Sequence, residues 1–313
     1  MKTCDSIFQR YEQVKSRFPS LKAERGFSIQ VENLGNIEED FDLFLFDAFG
    51  VLNVGETVID GAPERIRSLQ DQGKHIYFLT NAASYQKPLL VQKFKRLGFN
   101  IGPQNIVSSR EVLIDYLQRN LIFPKQIIKK WGAISVCNMG DFPRDLDFAI
   151  YDSSTSDKDD DAFWAADAYM FLSSANWTFS DQKKLIAHLQ KTPKPIVVGN
   201  PDLVAPRETA VSLEPGYFVH EILDKTDAPV EFYGKPYENA FQTALKRAKN
   251  VDPTISLART IMLGDTLHTD ILGGMAAGIR TGLVTKYGTY AGQDVTPYIQ
   301  ASNITPTYIM PTI

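Results

Sequence analysis

Residues 41–55 read FDLFLFDAFGVLNVG. The apolar run Phe44, Leu45, Phe46 stops on a single carboxylate, Asp47, and Gly50 opens a small loop directly afterwards. An apolar run of that length bounded by a turn predicts a buried strand of a parallel sheet. A charged side chain at the carboxyl end of such a strand lies where open α/β sheets keep their ligands. Asp47 is therefore the candidate reactive group.

Outward from this stretch the chain alternates. Pro63 opens a helix through Arg65, Ile66 and Leu69, the run His75–Leu79 ends on Thr80-Asn81, and a helix over 87–97 closes on Gly98. Alternation of this kind predicts right-handed crossovers and a parallel sheet. From about residue 110 the rhythm loosens: a helix over 111–119, strands near 133–137, 148–150, 169–172 and 196–198, and a helix over 181–190. The core pattern resumes with a helix over 217–223, a short strand over 230–233, the turn Gly234-Lys235-Pro236, a helix over 238–248, and the strand 260–263 running into Gly264-Asp265. The expected fold class is α/β, a three-layer α/β/α core of parallel strands. Residues 1–109, with an amphipathic N-terminal helix (Ile7, Phe8, Tyr11, Val14, Phe18), and 214–313 form the core, and 110–213 an inserted α/β cap. The acidic loop Asp157-Lys158-Asp159-Asp160-Asp161 reads as a solvated turn and helix N-cap.

The 313 residues leave room for two domains, and 43% hydrophobic content supports a substantial core. A net charge of −4 gives no reason to expect nucleic acid or an anionic membrane as partner. Cys4 and Cys137 stand far apart without a C-x-x-C pair, which argues against a disulfide framework and a thiolate zinc site. The charged N-terminus does not resemble a signal peptide, and no apolar run reaches the length of a membrane span, so a cytoplasmic protein is expected.

Four apolar strands end in polar groups: Asp47; Thr80 and Asn81; Lys235; and Asp265 with Asp270. Converging on one sheet edge, the three carboxylates would repel and raise each other's pKa, which a hard dication such as Mg²⁺ resolves. The set suits phosphoryl transfer to a carboxylate nucleophile. Asp47 would attack phosphorus; Asp47, the Phe49 carbonyl and Asp265 would hold Mg²⁺; Lys235 would hold Asp47 ionised. Ala48, Thr80, Asn81 and Ala82 are the expected oxyanion contacts, with Asn200 and Asp202 of GNPDLVAP (199–206) reaching toward substrate or simply making a turn.

These four motifs in this order resemble the haloacid dehalogenase superfamily. The insert between the second and third is similar to the type-2 cap of its NagD-like, class IIA phosphatases, as are GETVIDGAPE (55–64) and GDTLHTDILGG (264–274). The resemblance implies a Rossmann-like core, catalytic roles for Asp47, Thr80, Lys235 and Asp270, Mg²⁺, a small phosphate ester such as a sugar phosphate as substrate, and a homodimer formed through the cap. The cap segment LSSANWTF (172–179) departs from the acidic family pattern.

The first motif departs too. The superfamily's phosphatases carry Asp-x-Asp, and the second Asp serves as general acid and base; here that position is Phe49. A phenyl ring transfers no proton, although its backbone carbonyl can still ligate. Three readings follow: a slow phosphatase or one suited to good leaving groups, a catalytically impaired binding or regulatory protein, and a dehalogenase-like or phosphonatase-like hydrolase. The intact Asp265 and Asp270 speak against dehalogenation, which uses no metal. His268 is a candidate replacement acid, with an exposed loop residue or helix N-cap neighbour as the bland alternative, and His220, on the helix re-entering the core near the cap hinge, is a second candidate. His75 reads as a structural edge residue, and His188, on the cap helix, as solvent-facing.

Overall fold

The computed structural model describes residues 3–21, 26–151, 161–208 and 210–313. Residues 157–160 of the acidic loop lie outside these. Strand β2 (Leu43–Phe46) is wholly buried because both of its faces are covered: Leu43 and Leu45 enter one apolar cluster, Phe44 and Phe46 another. That is why its sequence is a continuous apolar run rather than an alternation. It sits within a seven-stranded sheet of spatial order β1 (Ile29–Gln30), β16 (Tyr308–Met310), β15 (Arg280–Val284), β14 (Thr260–Gly264), β2, β5 (His75–Thr80), β6 (Ile106–Ser108). All neighbours are parallel. Helices Ala62–Asp71 and Lys87–Arg96 supply Ile66, Leu69 and Phe94 to one face, while Glu238–Val251 supplies Ala240, Phe241, Ala244 and Ala248 to the other. The core is the three-layer α/β/α arrangement.

A second parallel sheet has the order β13 (Val230–Phe232), β10 (Ile196–Val198), β9 (Ala168–Phe171), β7 (Lys130–Ile134), β8 (Asp147–Ile150). Helices Phe179–Lys191 and Pro215–Lys225 cover one face, through Leu185, Leu189, Phe218 and Ile222. On the other face Trp131, Ala133, Met170 and Val197 continue the apolar cluster of the first sheet, so the two layers share a core. Two antiparallel hairpins stand outside the sheets: β3 (Asn53–Val54) with β4 (Thr57–Val58), and β11 (Val204–Pro206) with β12 (Val211–Leu213).

The expected boundaries at 110 and 213 do not separate these layers. Helix Ser109–Gln118 packs on β6 and on helix Glu238–Val251, within the first layer. Helix Pro215–Lys225 and strand β13, expected in the core, complete the second sheet: Val230, Glu231 and Phe232 register with Ile196, Val197 and Val198. Periodicity reports that a segment has an apolar face, not which sheet receives it. Among the described residues no helix is long and apolar enough to cross a membrane.

Candidate active site

β14, β2 and β5 are adjacent, and at their carboxyl ends stand Asp265, Asp47 and Thr80. Lys235 does not come from this sheet. It follows β13 of the second sheet, next to β10, whose end carries Asn200 and Asp202. The carboxyl ends of both sheets thus face one cavity of about 170 Å³, whose lining includes Asp47, Phe49, Thr80, Asn81, Asp202 and Asp265.

The Lys235 ammonium lies 2.5 Å from Asp47 Oδ1 and 2.6 Å from Asp270 Oδ1. Burial works against its charge, but Asp270, Asp47 and Asp202 outweigh burial and hold Lys235 above the ordinary lysine range. Burial drives the Asp47 carboxyl well above its ordinary value; Lys235 pulls it down, and Asp270 and Asp265 push it up. Asp265 is raised to about 6 by burial and by Asp270. Burial raises Asp202 to about 7, against the pull of Lys235 and the Asn81 hydrogen bond. Asp47, Asp270 and Asp202 share the one Lys235 ammonium, with Asp265 close beside Asp47 and Asp270. One oxygen each of Asp47, Asp265 and Asp270 falls within 4.8 Å of the others, so a hard, oxygen-seeking dication fits this donor set.

Local backbone explains the close approach. After β2 the chain doubles back, with the Leu52 and Asn53 amides donating to Ala48 O and the Gly50 amide to Asn53 O. Gly50 has φ +78°, and a Cβ there would stand 2.8 Å from the Asp265 side chain. Only glycine lets the loop after Asp47 lie against Asp265.

Several expected substrate contacts are engaged within the protein. Asn81 Nδ2 donates to Asp202 Oδ1 (2.8 Å) and Lys235 O (2.9 Å), while Asn81 Oδ1 accepts from the Lys235 amide (2.7 Å). Asn81 is a clasp between the two sheets. The Ala82 amide donates to Thr80 Oγ1 at 3.2 Å. Asn200 donates to Glu214 and accepts from the Asp202 amide, the turn reading of GNPD.

Sequence reasoning missed three residues. Thr289 donates its amide (2.6 Å) and hydroxyl (2.9 Å) to Asp265 Oδ2. It lies in the loop after β15, the next strand along the sheet, so the same strand-end rule could have found it. Lys93 Nζ and Arg207 Cζ lie 4.8 and 5.2 Å from the centre of the Phe49 ring, and both line the cavity. Helix periodicity alone did not single them out. His268 is not an exposed loop residue, and His220 lies on a helix as expected. His268 is fully buried, paired with Glu12 at 2.6 Å; buried His220, lowered to about 3 by burial and by Arg17, stacks on Phe232. Neither lines the cavity, so neither is placed to donate a proton into it.

Known proteins share this layout. A family model described as haloacid dehalogenase-like hydrolase matches residues 44–134, and a second, described as HAD-hydrolase-like, matches 232–313. The glycerol-3-phosphate phosphatase of Homo sapiens is 28% identical over 274 residues, covering 82% of each chain. A longer NipSnap protein of Caenorhabditis elegans is 29% identical over 266 residues, and the chain spans only 47% of its length. Among solved structures, one described as a possible sugar phosphatase from Cytophaga hutchinsonii is 26% identical with a TM-score of 0.76, over 92% of this chain and 98% of that one. NagD of E. coli, 21% identical, shares the fold over 87% of this chain and 96% of its own, with a TM-score of 0.61. The two family models fall on the two pieces of the chain that build the first sheet's carboxyl edge and the Lys235 loop, and on these grounds the chain belongs to the haloacid dehalogenase superfamily, with a NagD-like fold.

Proposed function

We propose that the protein is a Mg²⁺-dependent phosphomonoester hydrolase for small esters, sugar phosphates first, acting through an aspartyl-phosphate on Asp47. The observation that carries this reading is the cluster of Asp47, Asp265 and Asp270, with the Lys235 ammonium paired to Asp47 and Asp270, beside a cavity at the carboxyl ends of two sheets that Asp47 and Asp265 line. Asp47, the Phe49 carbonyl and Asp265 would hold Mg²⁺, which supplies charge neutralisation between nucleophile and phosphate when bound.

Lys235 opposes the burial of Asp47 and favours its ionised, nucleophilic form. An Asp47 carboxylate oxygen attacks phosphorus, the bond from phosphorus to the ester oxygen breaks, and that oxygen leaves with the electron pair. Water then attacks the phosphoryl group, releasing phosphate and restoring the carboxylate. Thr289 and Thr266 hold Asp265 in place throughout. The Phe49 ring provides no proton for the leaving oxygen, and general acid catalysis is worth about 10²–10⁴-fold. Esters whose alcohol leaves unprotonated are therefore turned over fastest, and sugar phosphates, whose leaving oxygen needs a proton, more slowly. The second sheet acts as the cap, delivering Asp202 and Lys235. A homodimer through this cap and a cytoplasmic location belong to the same proposal, and light scattering tests the first.

The deciding experiment is phosphate release from p-nitrophenyl phosphate with Mg²⁺ and with chelator. Turnover that needs Mg²⁺ and disappears in Asp47→Asn is expected. Turnover that survives either change rejects Asp47 as the nucleophile or the cation as a participant. No turnover in the wild type, with Mg²⁺ binding intact, moves the assignment to a binding protein.

A further inference from the structure

Residues 4–18 lie outside the motif set, yet they bond beside three loops that carry charged groups of the site. Helix Cys4–Val14 turns its apolar side, Ile7, Tyr11 and Val14, onto Leu203, Leu267, Ile271 and Leu272, and Phe18 joins the same cluster. The Tyr11 hydroxyl accepts from the Leu203 amide at 3.1 Å, one residue after Asp202. The Tyr11 ring stacks on His268 at 4.9 Å and 9°, two residues before Asp270. The Glu12 carboxylate accepts from His268 Nε2 at 2.6 Å. Tyr237, two residues after Lys235, donates its hydroxyl to Arg17 O at 3.3 Å. On the second layer, Arg10 and Arg17 both pair with Asp224 at 2.6 Å, and Arg17 donates to His220 O at 3.0 Å.

One short segment is thus joined to the Asp202 loop, the Lys235 loop, the Asp265–Asp270 loop and the helix that covers the second sheet. Two of these loops come from one sheet and one from the other. Asn81 clasps two of them from inside the cavity; the N-terminal segment holds all three from behind. We propose that residues 4–18 are a positioning strap, with Tyr11 and Glu12 as positioning residues that keep Lys235 and Asp202 in register with Asp265 and Asp270. The role rests on the phosphatase reading for its kinetic consequence, though not for its structural one.

Tyr11→Phe is the test, because it keeps the ring on His268 and removes only the bond to Leu203. With p-nitrophenyl phosphate and Mg²⁺, the variant is expected to lose about tenfold in kcat, since misplacement of catalytic groups by an ångström can cost up to 10²-fold, while KM stays within about twofold. Glu12→Ala is expected to behave alike and Glu12→Gln to restore most of the rate, a rescue that general loss of stability would not produce. Hydrogen exchange on the full chain is the second measurement: Tyr11→Phe is expected to lose amide protection over 199–206, and Glu12→Ala, which removes the bond to His268, over 264–272. Wild-type kcat in Tyr11→Phe overturns the proposal. If the wild type itself hydrolyses no ester, the phosphatase reading fails and exchange decides: lost protection at both loops upholds the strap, and unchanged protection at either overturns it.

Discussion

At the scale of single residues, Phe49 poses the sharpest chemical question. Its ring lies between Lys93 and Arg207, two cations held by Glu56, Ser212 and Glu214 on the cavity wall. Cation–π contacts of this kind contribute about 0.5–1 kcal/mol each at partly exposed sites. Phe49→Asp would exchange them for ion pairs and supply a proton donor two residues from the nucleophile. If a missing acid limits turnover, this variant gains at least about tenfold on an alkyl phosphate, whose leaving oxygen needs a proton, and far less on p-nitrophenyl phosphate. Equal gains on both esters would contradict the missing-acid account. Asp202 makes a second prediction. Its folded pKa of about 7 exceeds the unfolded value of about 3.9, so the folded chain binds the extra proton between those limits. Stability from this group is present at low pH and is lost as pH rises toward 7. Asp202→Asn removes that loss, so its melting temperature relative to wild type, in chelator, is expected to climb between pH 5 and 7. A flat difference would show that Asp202 does not titrate there. Taking the difference cancels the buried histidines, whose lowered pKa values act in the opposite direction.

At the scale of elements, the loop after β2 sets how closely the carboxylates approach. Gly50 combines a left-handed φ with a backbone pressed on Asp265, so alanine there meets both strain and a clash. Gly50→Ala is expected to cost about 1–3 kcal/mol of stability in a denaturant titration and to weaken Mg²⁺ binding by calorimetry. Unchanged metal affinity with lost stability would separate the loop from the cation site. Asp265 is held by Thr289 and Thr266 rather than by its own strand alone, which keeps its oxygens aimed at Asp47 and Asp270. Thr289→Val is expected to lower Mg²⁺ affinity while leaving the fold intact, and affinity equal to wild type would show that the hydroxyl is dispensable.

At the scale of the whole molecule, the candidate site is assembled across two sheets. The apolar cluster running from Leu43 and Leu45 through Val112 and Leu113 to Trp131 and Met170 fastens one sheet to the other. Asn81 registers their edges, because its amide group pairs with both backbone groups of Lys235. Asn81→Ala leaves the Lys235 amide buried without that partner, a cost of about 1–3 kcal/mol. It is expected to reduce kcat far more than it raises KM, since Lys235 would be displaced from Asp47. A variant that is destabilised yet keeps full kcat would place the lysine under other control.

Sequence alone determined the parallel α/β core, because strands buried on both faces must be continuous apolar runs, and β2 is one. It also singled out Asp47, Thr80, Lys235, Asp265 and Asp270 as strand-end polar groups, and the structure pairs Lys235 with Asp47 and Asp270 and gathers the three carboxylates. The tertiary structure decided what local pattern cannot encode. Strand β13 and helix Pro215–Lys225 joined the second sheet, because an apolar stripe does not name its partner. Asn81 and Asn200 became internal ties, and His268 went under the N-terminal helix, because hydrogen-bond partners more than a hundred residues apart meet only when the sheets pack. The height of each carboxyl pKa followed from burial, which no single residue carries in its own letter.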